Sequence, residues 1–277
     1  MPGGGRSVLA RSGDSLYVVK CPHNLQGPNV LANELLGSEL MSLLSLPNPP
    51  WRFAYFGEET KCLSHSSIGQ SGLSCRGKLH FASKCLEPIA PNRLYGFLPQ
   101  SFIHRVLNRS DFLGALVFDI WAGSTDARQA VYAEDHIRRT FEAVFIDHGH
   151  DMGGPHWSWN GKPGSSLCLD RTMYAGLIDP VETQIWATRI EAILPSKLPQ
   201  IVAGVPPEWH TGDINRLQNF LLARADCIQA ILFEELLAID AQLNRASRVK
   251  IGSPSISSHG ILLRRNDGDG SSTKVYS

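Results

Sequence analysis

No apolar run in this chain of 277 residues comes near the roughly 20 that a membrane-spanning helix requires. No basic-then-apolar stretch opens it, so neither membrane insertion nor secretory export is expected. An excess of one charge is lacking too. The 26 basic residues face 26 acidic ones, which removes the electrostatic case for nucleic acid or an anionic membrane as partner. The six cysteines, at 21, 62, 75, 85, 168 and 227, show no repeated CxxC spacing. A disulfide scaffold is therefore not expected, and a reduced, cytoplasmic protein is. Internal repeats are absent as well. What remains is a globular composition, 43% hydrophobic, long enough for one large domain or two packed lobes.

The first segment reads as strands. "SVLARSGDSLYVVKC" holds two apolar runs split by Ser12-Gly13-Asp14, a hairpin signal. Upstream, Gly3-Gly4-Gly5-Arg6-Ser7 is either a loop whose amides approach an anion or a frayed tail. In "NVLANELLGSELMSLLSLP", Leu31, Leu35, Leu36, Leu40 and Leu43 keep a helical period up to Pro47. Glu34 and Glu39 fall off the dense part of that stripe. "NPPWRFAYFGEE" is extended, and the Ser- and Gly-rich residues 57–78 form a surface loop. Cys62, His65 and Cys75 in that loop lack a fourth ligand at a spacing that suits zinc. "KLHFASKCLEP" predicts a buried strand, and Pro88 and Pro91 mark a boundary between a smaller lobe and a larger one.

Beyond that boundary the pattern turns helical. "SDFLGALVFDIWAG" opens on a Ser or Asp cap and stops at Gly123. "STDARQAVYAED" and "RTFEAVFIDHG" predict a hairpin after it. "VETQIWATRIEAIL" and "GDINRLQNFLLARADCIQAILFEELLAIDAQL" predict further helices, with Trp157, Trp159 and Trp209 in their core. From about Ala246 the sequence predicts a disordered tail.

The chemistry concentrates in a few polar residues. Lys20 ends a strand with its head group outside the core, and Glu34 sits on the next helix. Asp126 follows a helix stop, and Asp147 ends a buried strand. These types in this order suit phosphoryl transfer: a lysine on the phosphates, a helical glutamate holding it, one aspartate for the attacking hydroxyl and another for magnesium. The stretch "DHGHD", 147–151, admits a second reading, a zinc hydrolase. That reading needs another ligand pair one residue after the first, and the next histidine comes only at 156. In an extended strand His148 and His150 would share a face and Asp147 would point the other way, which favours Asp147 acting alone on magnesium.

At this point the chain resembles a family, the HipA-like kinases, and in particular their small stand-alone members. The resemblance runs from "LYVVKCPHNLQGPNVLANELLGSELMSLLSLPNPP" through "HFASKCLEP", "VFDIWAGSTDARQAVY" and "FIDHGHDMGGPHWSWNG" to "VPPEWHTGDINRLQNFLLARADCIQAIL". It implies an α+β, two-lobed protein-kinase-like fold. Residues 1–88 would form a mostly-β lobe with one helix, residues 89–245 a larger helical lobe, and residues 246–277 the tail. It implies ATP and Mg2+ bound between the lobes, Lys20 on the phosphates, Glu34 as its partner, Asp126 as catalytic aspartate and Asp147 as metal ligand. Gly4, Gly5, Ser7 and Glu87 are expected to complete the nucleotide-binding set. The acceptor would be a hydroxyl, with protein Ser or Thr among the candidates.

The chain departs from the family pattern at three places. Val131 stands where a second metal-binding asparagine is usual, which leaves Gln129 as the nearest amide. Ser124 stands where relatives tend to have asparagine. Almost no strand precedes the glycines. The departures at Val131 and Ser124 keep open a competing expectation, a nucleotide-binding pseudokinase or interaction module.

Overall fold

A computed structural model describes residues 7–22, 25–57, 77–86, 93–159 and 171–251. The expected hairpin is formed by β1 (Ser7–Ser12) and β2 (Ser15–Lys20), paired from Ser12↔Ser15 to Ser7↔Lys20. The connecting loop is Gly13-Asp14, and the positive φ it needs (57°) falls on the glycine. Next come α1 (Val30–Leu43), β3 (Trp51–Tyr55) and β4 (Leu79–Lys84). Among the described residues these strands make one antiparallel sheet of order β1-β2-β4-β3. Most of the 57–78 loop, including Cys62, His65 and Cys75, and the Pro88–Pro91 boundary lie outside the described residues.

The second part opens with β5 (Leu94–Tyr95), a strand too short to carry a period that a sequence reading could detect. Helix α2 (Asp111–Ala122) follows and ends at Gly123, in the left-handed conformation at φ 69°. Strands β6 (Gln129–Asp135) and β7 (Thr140–Ile146) form the expected hairpin, and β5 extends it to the order β5-β6-β7. Three long helices close the chain: α3 (Pro180–Ala203), α4 (Ile214–Asp226) and α5 (Ile228–Ile251).

Three sequence expectations need correction. Helix α1 is not amphipathic in the expected sense. Glu34 and Asn33, which interrupt its leucine pattern, are buried with the leucines, because polar loops of the second part cover that side. Helix α3 does not stop before Pro195 but runs through Pro195 and Pro199. A proline costs a helix about 3 kcal/mol, and burial of Leu198 and Val202 beyond it supplies the opposing packing. The long terminal helical pattern is broken at Cys227 into α4 and α5, and α5 continues to Ile251, into the stretch expected to be a disordered tail. Residues 252–277 lie outside the described residues.

Helix α2 is the axis of the core. Every residue from Phe112 to Ala122 is buried, and Phe112 meets Tyr132, Phe145 and Tyr174 ring to ring. Its last carbonyls, Ile120 O and Trp121 O, each accept from the Arg224 guanidinium of α4 at 2.6 Å, a cation placed at the negative end of the helix. Trp157 and Trp209 are core residues, as expected. Trp209 also ties the two parts together: its Nε1 donates to Leu79 O in β4 at 3.2 Å, and its ring meets Phe53 of β3.

Candidate active site

The hairpin register carries Lys20 to the end of β2 nearest α1 and the end of β7. Its ammonium donates to Glu34 Oε1, and to Asp147 Oδ1 at 2.7 Å. The Lys20 side chain is only 15% exposed and that of Glu34 3%, whereas that of Asp147 is 36% exposed. Lys20 is therefore more enclosed than its place at a strand end suggests. Burial works against its charge, but Glu34 and Asp147 outweigh that and hold it above its usual value. Burial pushes the Glu34 carboxyl up, and Lys20 only partly offsets this.

Asp147 also feels burial, yet Lys20 brings it down to about 2. A depressed carboxyl contributes stability that is whole above the ordinary value of about 3.9 and is lost as pH falls through the folded one. For Asp147 that loss comes between about 3.9 and about 2, so near neutral pH it is fully charged.

Asp147 reaches this position because β7 stops at Ile146 and the chain turns through a left-handed residue, Asp147 itself at φ 64°. Gln129, the first residue of β6, is paired with Ile146, and its Nε2 donates to Asp147 Oδ2 at 3.0 Å. The same register places Val131 two positions further along β6, opposite Val144, a displacement of about 6.7 Å in a strand. In this chain the amide beside Asp147 is at 129.

The remaining expected residues are less concentrated. Asp126 is exposed on the loop between α2 and β6, where its Oδ1 accepts from Ala127 N at 2.8 Å. It does not join the Lys20 cluster. Ser7 is exposed and directly opposite Lys20 in the β1–β2 register. Gly4, Gly5 and Glu87 lie outside the described residues.

The histidines belong to a different cluster. Residues 148–151 form a turn rather than an extended strand, and His148 is buried. Its Nδ1 is 3.0 Å from Arg128 Nη1 and 3.2 Å from Asp151 Oδ2. Asp147 and Asp151 thus serve separate groups, which removes the zinc reading of "DHGHD". Among the described residues no three His, Cys, Asp or Glu side chains converge on a metal-binding point.

Arg128, to which the sequence alone assigns no role, is the hub of this second cluster. Its Nη2 donates to Asp119 Oδ1 and, at 3.0 Å, to Asp151 Oδ1, while its Nε donates to Asp119 Oδ2 at 3.0 Å. Ser124 Oγ donates to Asp151 Oδ1 at 2.6 Å, so the residue that replaces the usual asparagine has a partner. Burial opposes the guanidinium's charge, but the two carboxylates hold it firmly protonated. Burial pushes Asp119 up against the pull of Arg128. It works on Asp151 too, yet Arg128, His148 and Ser124 keep that carboxyl below its usual range. The signal in the sequence is Asp119 itself: a carboxylate in the middle of an apolar helix needs a buried cation.

The Lys20 cluster gives a test that separates fold from function. Lys20→Met removes the ammonium from the buried Glu34, so the protein should lose thermal stability as well as its stabilisation by Mg-ATP. Lys20→Met with Glu34→Gln removes both charges and should recover the stability but not the nucleotide response. Undiminished Mg-ATP stabilisation in either variant would rule Lys20 out.

No family model matches the sequence, and no curated protein matches it. Solved structures do. The proinflammatory kinase CtkA of Helicobacter pylori matches with a TM-score of 0.50 at 14% identity, over 88% of this chain and 95% of that one. A chain of the HipA–HipB toxin–antitoxin system of Shewanella oneidensis MR-1, in complex with operator DNA, matches with a TM-score of 0.49 at 11% identity, over 83% of this chain and 66% of that one. At such identities a likeness is one of fold alone. The match to CtkA shows that this chain has the α+β, two-lobed fold of a kinase, as the resemblance to HipA-like kinases implies.

Proposed function

We propose that the protein is an ATP- and magnesium-dependent phosphotransferase of the HipA-like type, acting on a hydroxyl acceptor in a cytoplasmic setting, with its lobes divided near residue 88. The observation that carries this reading is the convergence of Lys20, Glu34, Asp147 and Gln129, drawn from β2, α1, the end of β7 and the start of β6.

Lys20 binds the phosphates, and Glu34 orients it. The carboxylate of Asp147 and, once its amide turns over from the present Nε2–Asp147 bond, the amide oxygen of Gln129 would be hard donors that suit magnesium, which takes one or two protein ligands and substrate phosphates rather than a closed protein cage. Magnesium, when bound, neutralises phosphate charge. Ser7, opposite Lys20, lies on the phosphate side, with Gly4 and Gly5 before it, and Glu87 contributes to nucleotide binding.

The sheet faces that carry Lys20 and Gln129 also carry apolar side chains suited to a base. Leu9 and Val18 face each other across β1 and β2, and Val131 and Val144 across β6 and β7. Val131 then serves the base instead of the metal. Asp126 accepts the proton of the attacking hydroxyl. The hydroxyl oxygen forms its bond to the γ-phosphorus as the bond to the ADP oxygen breaks.

Incubation with labelled ATP and magnesium, with transfer to the protein itself or to lysate proteins followed by mass spectrometry, tests the reading. Binding of Mg-ATP without transfer to any acceptor would favour the pseudokinase. The loose tether of Asp126, held by its neighbour's N–H, is what supports that second reading.

Gln129→Ala probes the metal role. Turnover in the variant should need more magnesium than in the wild type, and excess magnesium should partly restore it. An unchanged magnesium requirement would assign Gln129 to the loop alone.

A further inference from the structure

Asn33 stands one residue before Glu34 on α1 and is 0% exposed. Its Nδ2 lies within hydrogen-bonding distance of the carbonyls of Gly149, Asp151 and Gly154, at 3.0, 2.9 and 3.2 Å, and its Oδ1 accepts from Trp157 Nε1 at 2.8 Å. An amide nitrogen has two hydrogens, so three carbonyls share two protons and the side chain has no capacity left over on that side. One residue of the first part of the chain thereby gathers a whole loop of the second.

That loop needs gathering. Met152 and Trp157 have positive φ, at 60° and 50°, as do Gly153 and Gly154, at 82° and 80°. Non-glycine residues in this region are strained and persist only where their surroundings impose them. The loop is in turn bonded to the segment that leads into Asp126. Thr125 N and Oγ1 both donate to His150 O, at 3.0 and 3.1 Å, and Gly153 N donates to Gly123 O at 3.0 Å.

The docking of α1 on the loop also leaves no slack. A Cβ on Gly37 would lie 2.5 Å from His148 Cβ, and one on Gly149 would lie 2.9 Å from Val30 Cγ1 and 3.0 Å from Glu34 Oε1. These close approaches are independent of the Asn33 bonds and point the same way.

We infer that Asn33 is a positioning residue for the reaction. It joins α1, which carries Glu34, to the loops that carry Asp147 and Asp126, so that the phosphate end and the acceptor end of the site are held as one body before nucleotide arrives. The inference rests on the phosphotransferase reading and adds to it a site assembled in advance, with no separate swing of α1 needed to complete it. Asn33 itself touches neither phosphate nor acceptor.

Asn33→Asp keeps the shape and turns a carboxylate oxygen towards the three carbonyls. Turnover should fall by about 10²-fold, the scale of a 1 Å misplacement in a site. The gain in ATP affinity on adding magnesium should shrink, while magnesium-free binding through Lys20 stays close to that of the wild type. Amide hydrogen exchange over 149–157 should rise. Gly37→Ala leaves the Asn33 side chain itself unchanged but drives a methyl into His148, and so displaces the same docking by a second route. Alanine is a better helix former than glycine, so the same kinetic loss there would come from displaced docking and not from a weaker helix.

If Asn33→Asp does not fold, Trp157→Phe removes one bond and should give a smaller loss in the same direction. The inference is overturned if these variants lower the melting temperature or raise exchange while turnover per folded molecule and the magnesium-dependent gain stay unchanged. A wild type that shows no magnesium-dependent ATP binding would instead mark the failure of the phosphotransferase reading, and the role of Asn33 would fall with it.

Discussion

Replacing Asp126 by asparagine is expected to cut turnover by about 10²–10⁴-fold, the range of a positioned acid or base, and to leave ATP affinity almost unchanged. The geometry separates these effects. Asp126 is exposed on its loop and makes no contact with the Lys20, Glu34 and Asp147 cluster, so its loss leaves the phosphate-binding charges in place. The change is also isosteric, and the new amide would sit at an exposed position, so the melting temperature should hold. An interaction made only in the transition state lowers kcat and kcat/KM together. A variant that instead raises KM for ATP at constant kcat would move Asp126 out of the acceptor role and into nucleotide binding.

The second large effect is on stability. Arg128→Met would leave Asp119 and Asp151 buried without their cation. Breaking a buried ion pair by removing one partner costs about 3–5 kcal/mol, a large share of the roughly 5–15 kcal/mol that holds a domain together. Chemical denaturation of the variant should show that loss as a lower midpoint. Arg128→Lys should fall between. A lysine keeps the charge but cannot reproduce the fork that meets Asp119 through two nitrogens and also reaches Asp151 and His148. A loss below about 1 kcal/mol in Arg128→Met would show that the cluster is not what fastens α2 to the loops after Gly123 and Asp147.

Four of the polar residues in the proposed mechanism stand out in the sequence because each sits where local pattern is strong. Lys20 follows an alternating strand, Glu34 lies in a leucine-rich helix, Asp126 comes after a glycine stop and Asp147 after an apolar strand. Hairpin turns, caps and helical periods depend on neighbours a few positions away, so they survive in a linear reading. The same reading fails at α1. It sorts residues by one-sided burial and sends Glu34 to the margin, whereas the helix is buried on its polar side as well. The helix read from "VETQIWATRIEAIL" ends at residue 194, short of Pro195, because local propensity does not count the packing gained beyond the prolines.

By itself the sequence determined the order of most elements and the residue types available for phosphoryl transfer, consequences of local backbone preference and short-range periodicity, while the α+β class came with the family resemblance. Only the tertiary structure decided which of those residues meet. Strand register put Gln129 rather than position 131 beside Asp147, the left-handed turn at Asp147 separated it from the histidines that follow, and Arg128 was found to join Asp119 to Asp151 across the core. Asn33 was likewise found to reach Trp157, 124 positions along the chain. Such contacts depend on distances that long loops and crossing helices set, and no pattern of neighbours records them.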